Sequence, residues 1–346
     1  MADETPILKA LVLQGGGALG AFALGAVRVL YGERNYRPDL ISGVSIGAIT
    51  AALLARPKAG DPLAALEQFW KLVTVESPWL AAAFQRYASA FGNPAFFTPR
   101  TDVWAAATWT SLYDTEPLRR TLAGLVDLKA LAEPGLRPRL VVTATDIKAG
   151  QIEAFDSDKK GLTLDHILAS DSLPPSFPMT LVEGKPYWDG GVFDNTPLGE
   201  VLSRLSRSAA GEREVVVVNL FPNAGPVPTD LNEVSQRFLN LTFANKTESD
   251  LKLLERFNAV SVLLDQIRGD PDLAGLAESP AFQDADRNYV VVPQVLAITR
   301  AHQAANGAWT DFSRAGIEAL AKEGAEAART EIAAPRIADG KPRGKP

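Results

Sequence analysis

The sequence predicts a three-layer α/β/α fold with a mostly parallel central sheet. Three observations predict it. Two apolar runs, Leu8 to Gln14 and Asp39 to Gly43, each lead into a glycine-rich turn and then into an alanine-rich stretch of helical length. Strand–helix–strand–helix at this spacing implies parallel strands with right-handed crossovers. Far downstream, Glu214 to Phe221 carries four consecutive valines and reads as a core strand.

The elements follow in order. Leu8 to Gln14 is a strand, Gly15 to Gly20 a turn, and Ala18 to Tyr31 an apolar helix. Asp39 to Gly43 is the next strand and Ser45 to Ala55 the next helix. Leu63 to Val75 is helical. Glu76 to Leu112 is rich in aromatic residues and alanine but broken by Pro78, Pro94 and Pro99, which favours several short helices over one long one. Arg139 to Thr145 is a buried strand with Gln151 to Phe155 beside it. Leu164 to Ser170 is a short helix, and Pro174, Pro175 and Pro178 make a rigid loop. Met179 to Glu183 and Pro186 to Trp188 form a hairpin around Glu183-Gly184-Lys185. Leu231 to Arg268 reads as two helices, Tyr289 to Pro293 as the last strand, and Phe312 to Ile332 as the final helix. The predicted catalytic unit is therefore 1–225 with a helical insertion at 63–125. Residues 226–335 are a helical extension packed on the same unit, and 336–346 are a disordered tail.

Composition narrows the function. Hydrophobic residues make up 46% and charged residues 22%, as in a soluble globular protein. A formal charge of -6 argues against nucleic acid, which demands basic clusters. Cysteine is absent, so no disulfide framework or thiolate metal site is expected, and no metal or organic cofactor is implied. The acidic N-terminus lacks the basic n-region of a signal peptide. No apolar run reaches the roughly 18–20 residues needed to span a bilayer. The expectation is a cytoplasmic protein, open to peripheral contact with a membrane surface.

Three motifs carry chemistry. Gly43-Val44-Ser45-Ile46-Gly47 has the spacing of a nucleophile elbow, a strand-to-helix turn so tight that the residues around the serine must be small. Gly15-Gly16-Gly17-Ala18-Leu19-Gly20 also fits a dinucleotide fingerprint. The acidic residue that fingerprint wants at the end of the second strand is missing, since Asp39 stands at its start. Consecutive glycines at a helix N-terminus bare N–H groups at the positive end of the dipole, which suits an oxyanion. Asp189, after Tyr187-Trp188 and before Gly190-Gly191, sits at a strand end and is placed to act as a base on the Ser45 hydroxyl. The two histidines, His166 and His302, lie in no motif.

These three segments, in this order, resemble the patatin-like phospholipase family. The resemblance runs from about Leu8 to Phe221 and includes Asn195-Thr196-Pro197 and the stretch Tyr113-Asp114-Thr115 with Pro117-Leu118. It implies a Ser–Asp dyad with Ser45 as nucleophile and Asp189 as base. It also implies an oxyanion hole from the amides of Gly15, Gly16, Gly17 and Ala18, with Gly20, Gly43, Gly47, Gly190 and Gly191 as supporting glycines. The implied activity is hydrolysis of lipid carboxylic esters, with a lipid or fatty-acyl ester as partner. Many members carry Arg or Lys where this chain has Leu19, so neutral lipids or simple esters gain ground over anionic headgroups. Rival readings are a Ser45–Asp189–His302 triad, a nucleotide-dependent oxidoreductase, and a lipid-binding protein without catalysis on the same fold. The stretch from Pro78 to Thr110 is expected to wall an acyl-chain site, with Phe97 and Trp104 against the chain.

Overall fold

The computed structural model describes residues 6–77, 79–206, 211–288, 292, 294–301 and 308–334. The strands are β1 (Lys9–Leu13), β2 (Leu40–Gly43), the two-residue pair β3 (Thr98–Pro99) and β4 (Tyr113–Asp114), β5 (Arg139–Asp146), β6 (Gln151–Asp156), β7 (Thr180–Val182), β8 (Lys185–Asp189), β9 (Glu214–Asn219) and β10 (Gln294–Thr299). The main sheet runs β10-β9-β1-β2-β5-β8-β7, with β6 also paired to β5. Pairing is parallel from β10 through β5 and antiparallel around β6, β7 and β8.

One pairing detail positions the site. Strand β2 pairs with β5 over Arg139 to Val142, and β8 pairs with it over Ala144 to Asp146. Strand β6 pairs with Val141 to Asp146 and so takes up the opposite edge. Strands β2 and β8 therefore share one edge of β5 and run towards each other. Gly43 ends opposite Val142 and Asp189 opposite Ala144. The two turns that follow these strands meet above the gap, at Thr143.

Eleven helices are described: α1 (Ala21–Val27), α2 (Ile46–Ala55), α3 (Pro62–Val73), α4 (Glu116–Leu125), α5 (Leu128–Ala132), α6 (Leu164–Ser170), α7 (Leu198–Leu202), α8 (Leu231–Gly269), α9 (Ala274–Ala277), α10 (Pro280–Asn288) and α11 (Arg314–Ala333). They cover both faces of the sheet. Alternate side chains along each strand point to opposite faces. Leu11, Leu13, Ile41, Val142, Val216 and Val218 pack with α1, α2 and α11. Ala10, Val12, Leu40, Val141, Val215 and Val217 pack with Leu198 and Val201 of α7 and Leu254 of α8. These are the three layers that the strand pattern predicts.

One expectation changes. Leu231 to Arg268 is one 39-residue helix, not two. The polar stretch between Asn245 and Asp250 suggests a break, but the helix contains no proline and no glycine before Gly269. The apolar stretch after α3 contains 3₁₀ turns at Ala82–Phe91 and Val103–Thr108, with the β3–β4 pair closing it. The predicted strand at Tyr289 to Pro293 lies, except for Val292, outside the described residues, as do Pro78, His302 and the tail. Strand β10 follows at Gln294 and extends the parallel sheet beside β9.

The end of the chain is bound tightly to its beginning. A Cβ on Gly25 of α1 would lie 1.8 Å from the Ala321 carbonyl oxygen of α11, and one on Gly324 would lie 1.9 Å from that of Phe22. The two helices thus touch backbone to backbone, through a glycine from each. Overpacking of this kind costs about 1–3 kcal/mol. Gly324→Val should lower the unfolding free energy by that amount in a urea titration, and an unchanged midpoint would show that the helices can separate at no expense.

Candidate active site

The Ser45 turn is as tight as its spacing requires. A Cβ on Gly43 would meet the Gly47 carbonyl oxygen at 2.3 Å, and one on Gly47 would meet that of Leu13 at 2.3 Å. Helix α2 is thereby pressed against the ends of β1 and β2. Ser45 takes φ 57° and ψ -131°, a left-handed conformation that a side chain adopts at a cost of about 1–3 kcal/mol. Its N–H donates to the carbonyl oxygen of Ser170 at 3.1 Å and to Ser170 Oγ at 3.0 Å. That anchor holds the turn to the end of α6.

Two carboxylates face the Ser45 hydroxyl. Asp189, at the end of β8, is 2% exposed. Its Oδ1 accepts from the Gly191 N–H at 2.7 Å, and its buried Oδ2 has no partner. Burial pushes its carboxyl up to about 7, although the nearby Ser45 hydroxyl and the Gly191 amide work the other way. The second carboxylate is Asp171. Ser45 Oγ donates to Asp171 Oδ1 at 3.2 Å, and Asp171 Oδ2 is buried without a partner. Burial, then the charge of Asp189, push the Asp171 carboxyl well above the ordinary carboxylate range.

The glycine loop lies opposite. The Gly15 N–H donates to the Asn195 carbonyl oxygen at 3.4 Å, and Leu19 N–H to that of Gly16 at 3.2 Å. Among the described residues no acceptor engages the N–H groups of Gly16 or Gly17, and both residues line the cavity beside Ser45. Ala18 is fully buried and lies behind the lining. Gly17 has φ 56°, and a Cβ there would come within 2.5 Å of the Trp309 carbonyl oxygen. Side chains hold the loop from behind. Asn195 Nδ2 donates to the Gly15 carbonyl oxygen at 3.2 Å. Gln14 Nε2 donates to Thr196 Oγ1 at 2.9 Å, and Gln14 Oε1 accepts from the Leu220 N–H. Gln14 and Thr196 thus tie the ends of β1 and β9 to the segment after Asp189.

All of these groups open onto one cavity of about 400 Å³. Its far wall is aromatic. Phe97 lies 4.8 Å from Tyr113 and 5.5 Å from Phe177 between ring centroids, and Phe96 lies 5.5 Å from Phe312. Leu19, Phe221, Leu239 and Phe243 extend the apolar lining. Among the described residues the lining includes no Lys, Arg or His. A cavity of this size and polarity suits an apolar ligand fixed by a few polar groups.

A family model described as patatin-like phospholipase matches residues 11–202, more than half of the chain. The chain belongs to the patatin-like phospholipase family. A curated relative is an uncharacterized membrane protein of Mycobacterium tuberculosis, 27% identical over 247 residues. That match takes in 56% of this chain and only 22% of the relative. Among solved structures, VipD from Legionella pneumophila matches 95% of this chain and 67% of its own, at 14% identity and a TM-score of 0.41. A Pseudomonas aeruginosa structure of SpcU in complex with ExoU matches 71% of this chain and 52% of its own, at 18% identity and a TM-score of 0.28. Among the described residues no helix is long and apolar enough to cross a membrane.

The patatin-like site brings together most of what the motifs single out. Ser45, Asp189, Gly15, Gly16 and Gly17 line one cavity. Gly190 packs against the Thr143 carbonyl oxygen and Val44, and Gly20 against Ile46. Leu19 is buried in the lining. His166 serves structure: its Nδ1 accepts from the Thr163 N–H at 2.9 Å, and its ring packs 4.6 Å from Phe155. Phe97 takes its expected place, but Trp104 does not. Trp104 is 85% exposed and absent from the cavity wall, because the 3₁₀ turn that carries it faces outward. Sequence reasoning passes over Asp171, Gln14 and the C-terminal residues Trp309 and Phe312. The available signal for Asp171 is a lone acid between two serines, ahead of Pro174-Pro175.

The raised Asp189 carboxyl has a stability consequence with a definite sign. An unfolded aspartate ionises near pH 3.9, whereas this one keeps its proton to about 7. Folding takes up a proton between those values, so this group's contribution to stability is lost as pH rises through that window. Asp189→Asn should therefore flatten the decline in melting temperature between pH 4 and pH 7. Carbon-13 spectra of labelled aspartates should show a carboxyl titrating near pH 7 that the variant lacks.

Proposed function

We propose that this protein is a serine acyl hydrolase acting on carboxylic esters of lipids, with Ser45 as nucleophile and Asp189 as its base. The observation that carries the reading is a strained serine set against a buried, half-unpartnered carboxylate at the wall of an apolar cavity. The Ser45 hydroxyl turns to the free Oδ2 of Asp189 and gives up its proton. Oγ bonds the ester carbonyl carbon, and the Gly16 and Gly17 amides take the developing oxyanion. The C–O bond to the alcohol breaks, and Asp189 returns the proton to the leaving oxygen. Water then cleaves the acyl-enzyme, with Asp189 taking the water's proton.

The cavity argues for the substrate class. Aromatic and aliphatic walls accept an acyl chain, with each buried methylene contributing about 0.8 kcal/mol. Two carboxylates and no cation among the described lining residues disfavour an anionic headgroup near Ser45, and the buried Leu19 offers no substitute charge. Neutral glycerides and simple long-chain esters are the substrates proposed.

A fluorophosphonate probe should label Ser45, and Ser45→Ala should lose both the label and turnover while keeping its melting temperature. Asp189→Asn should lower turnover by about 100-fold or more. Hydrolysis that persists in a folded Ser45→Ala protein would sink the assignment. Phe97→Ala should weaken long-chain p-nitrophenyl esters more than the acetate, whereas the outward-facing Trp104→Ala should treat both alike.

A further inference from the structure

A family dyad has one carboxylate, and this site has two. The segment that carries the second is bonded to both members of the dyad. Ser170 accepts the Ser45 N–H, and the Ser172 carbonyl oxygen accepts the Asp189 N–H at 3.0 Å. Asp171, between them, is 4% exposed and reaches Ser45 Oγ itself. Two buried carboxylates on one hydroxyl, with no cation among the described lining residues, do not both ionise readily. Their surroundings decide which keeps the proton. Asp189 has the Gly191 N–H to hold a negative charge. Among the described residues Asp171 has no amide donor, and it stands at the C-terminal end of α6, where the helix dipole also opposes an anion. Among the described lining residues no other ionisable group is placed to reverse this order: α2, the glycine loop and α8 contribute none, and the insertion contributes the hydroxyls of Tyr87 and Tyr113. On α6 itself, Asp165 pairs with Arg119, and His166 is bonded to Thr163.

We propose that Asp171 is a second catalytic acid of this site, a neutral carboxylic acid that donates to Ser45 Oγ and gives that oxygen its proton when the acyl-enzyme breaks. The proposal rests on the acyl-hydrolase reading of Ser45 and Asp189. With its proton on Oδ1, Asp171 becomes the donor of the 3.2 Å bond. The serine's own hydrogen is then free to point at the unpartnered Oδ2 of Asp189. In acylation the Oγ proton goes to Asp189 and on to the leaving alcohol, and Asp171 stays neutral. In deacylation the water oxygen bonds the acyl carbon as the bond from that carbon to Oγ breaks. The water proton goes to Asp189, and the Asp171 proton goes to Oγ. One relay through the serine hydroxyl, from Asp189 to Oγ and from Oγ to Asp171, restores the starting state.

The test separates the two half-reactions in the full chain, using p-nitrophenyl butyrate, a fluorophosphonate and the variants Asp171→Asn and Asp171→Ala. The amide keeps a donor beside Oγ but has no proton to give. Asp171→Asn should label at close to the wild-type rate and release a burst of p-nitrophenolate equal to the enzyme present. Its steady state should then be lower by about 100-fold or more, the scale of a lost general acid. Asp171→Ala, with neither donor nor proton, should show the same stalled acyl-enzyme. The wild-type rate should fall on the alkaline side as Asp171 ionises, and the Asn variant should lose that fall. Melting gives a readout independent of turnover. Folding must protonate Asp171 at pH 8 but not at pH 4, so Asp171→Asn should melt above wild type at pH 8 and level with it at pH 4. Wild-type turnover, no burst and an unchanged pH profile in a folded Asp171→Asn protein would overturn the second acid and leave the Ser–Asp reading standing. Absence of labelling at Ser45 in the wild type would overturn both.

Discussion

The site depends on the sharing of one edge of β5. A strand has two edges, and β6 occupies one of them along Val141 to Asp146. The other is divided between β2, arriving from one direction, and β8, arriving from the opposite one. Each strand must turn away where it meets the other, and the two turns carry Ser45 and Asp189. Their proximity is thus a matter of register. A slip of one residue in either ladder would send the side chains of that strand to the wrong face of the sheet. The glycines of both turns follow from the same crowding. Gly47 lies against the Leu13 carbonyl oxygen and Gly190 against that of Thr143, because backbone, not side chain, fills the gap between the strand ends.

This explains what was legible in the sequence. The parallel core, the Glu183-Gly184 hairpin and helix α6 show as local pattern, and each appears within a residue or two of its expected bounds. The placing of Ser45 and Asp189 at the two turns was also legible, since turn geometry constrains the neighbours of each. Asp171 was not. Its role depends on the hydroxyl of a residue 126 positions away, and no spacing rule records such a contact. Trp104 misled for the converse reason. A large apolar side chain implies burial, yet this one stands outward beside the cavity-forming Phe96 and Phe97. The single helix α8 shows a further limit, because a polar stretch does not end a helix unless something breaks its hydrogen bonds.

Strain and burial at the centre are held by a rigid surround. Ser45 sits in a left-handed conformation, and two acids are withdrawn from water. Each is unfavourable alone. The surround offsets them with backbone contacts that cannot relax and with buried side-chain amides that bond on several sides. Gln14 joins β1, β9 and the Thr196 segment, and Asn195 bonds both the Gly15 carbonyl oxygen and, at 3.5 Å, that of Phe243 in α8. Such a frame keeps the serine hydroxyl between its two carboxylates and prevents the strain from being lost to a local shift.

The backbone contact between α1 and α11 bears on the order in which the chain is made. Ser45 and Asp189 come early in the chain, after strands that share an edge of β5, and both precede α8. Trp309 and Phe312 come just ahead of α11, and both face the cavity. The helix that follows them seats Gly324 against Phe22 of α1. Until α11 is made, the Ser45 cavity lacks the part of its wall that Trp309 and Phe312 supply. A nascent chain therefore carries Ser45 and Asp189 well before it carries the whole enclosure around them.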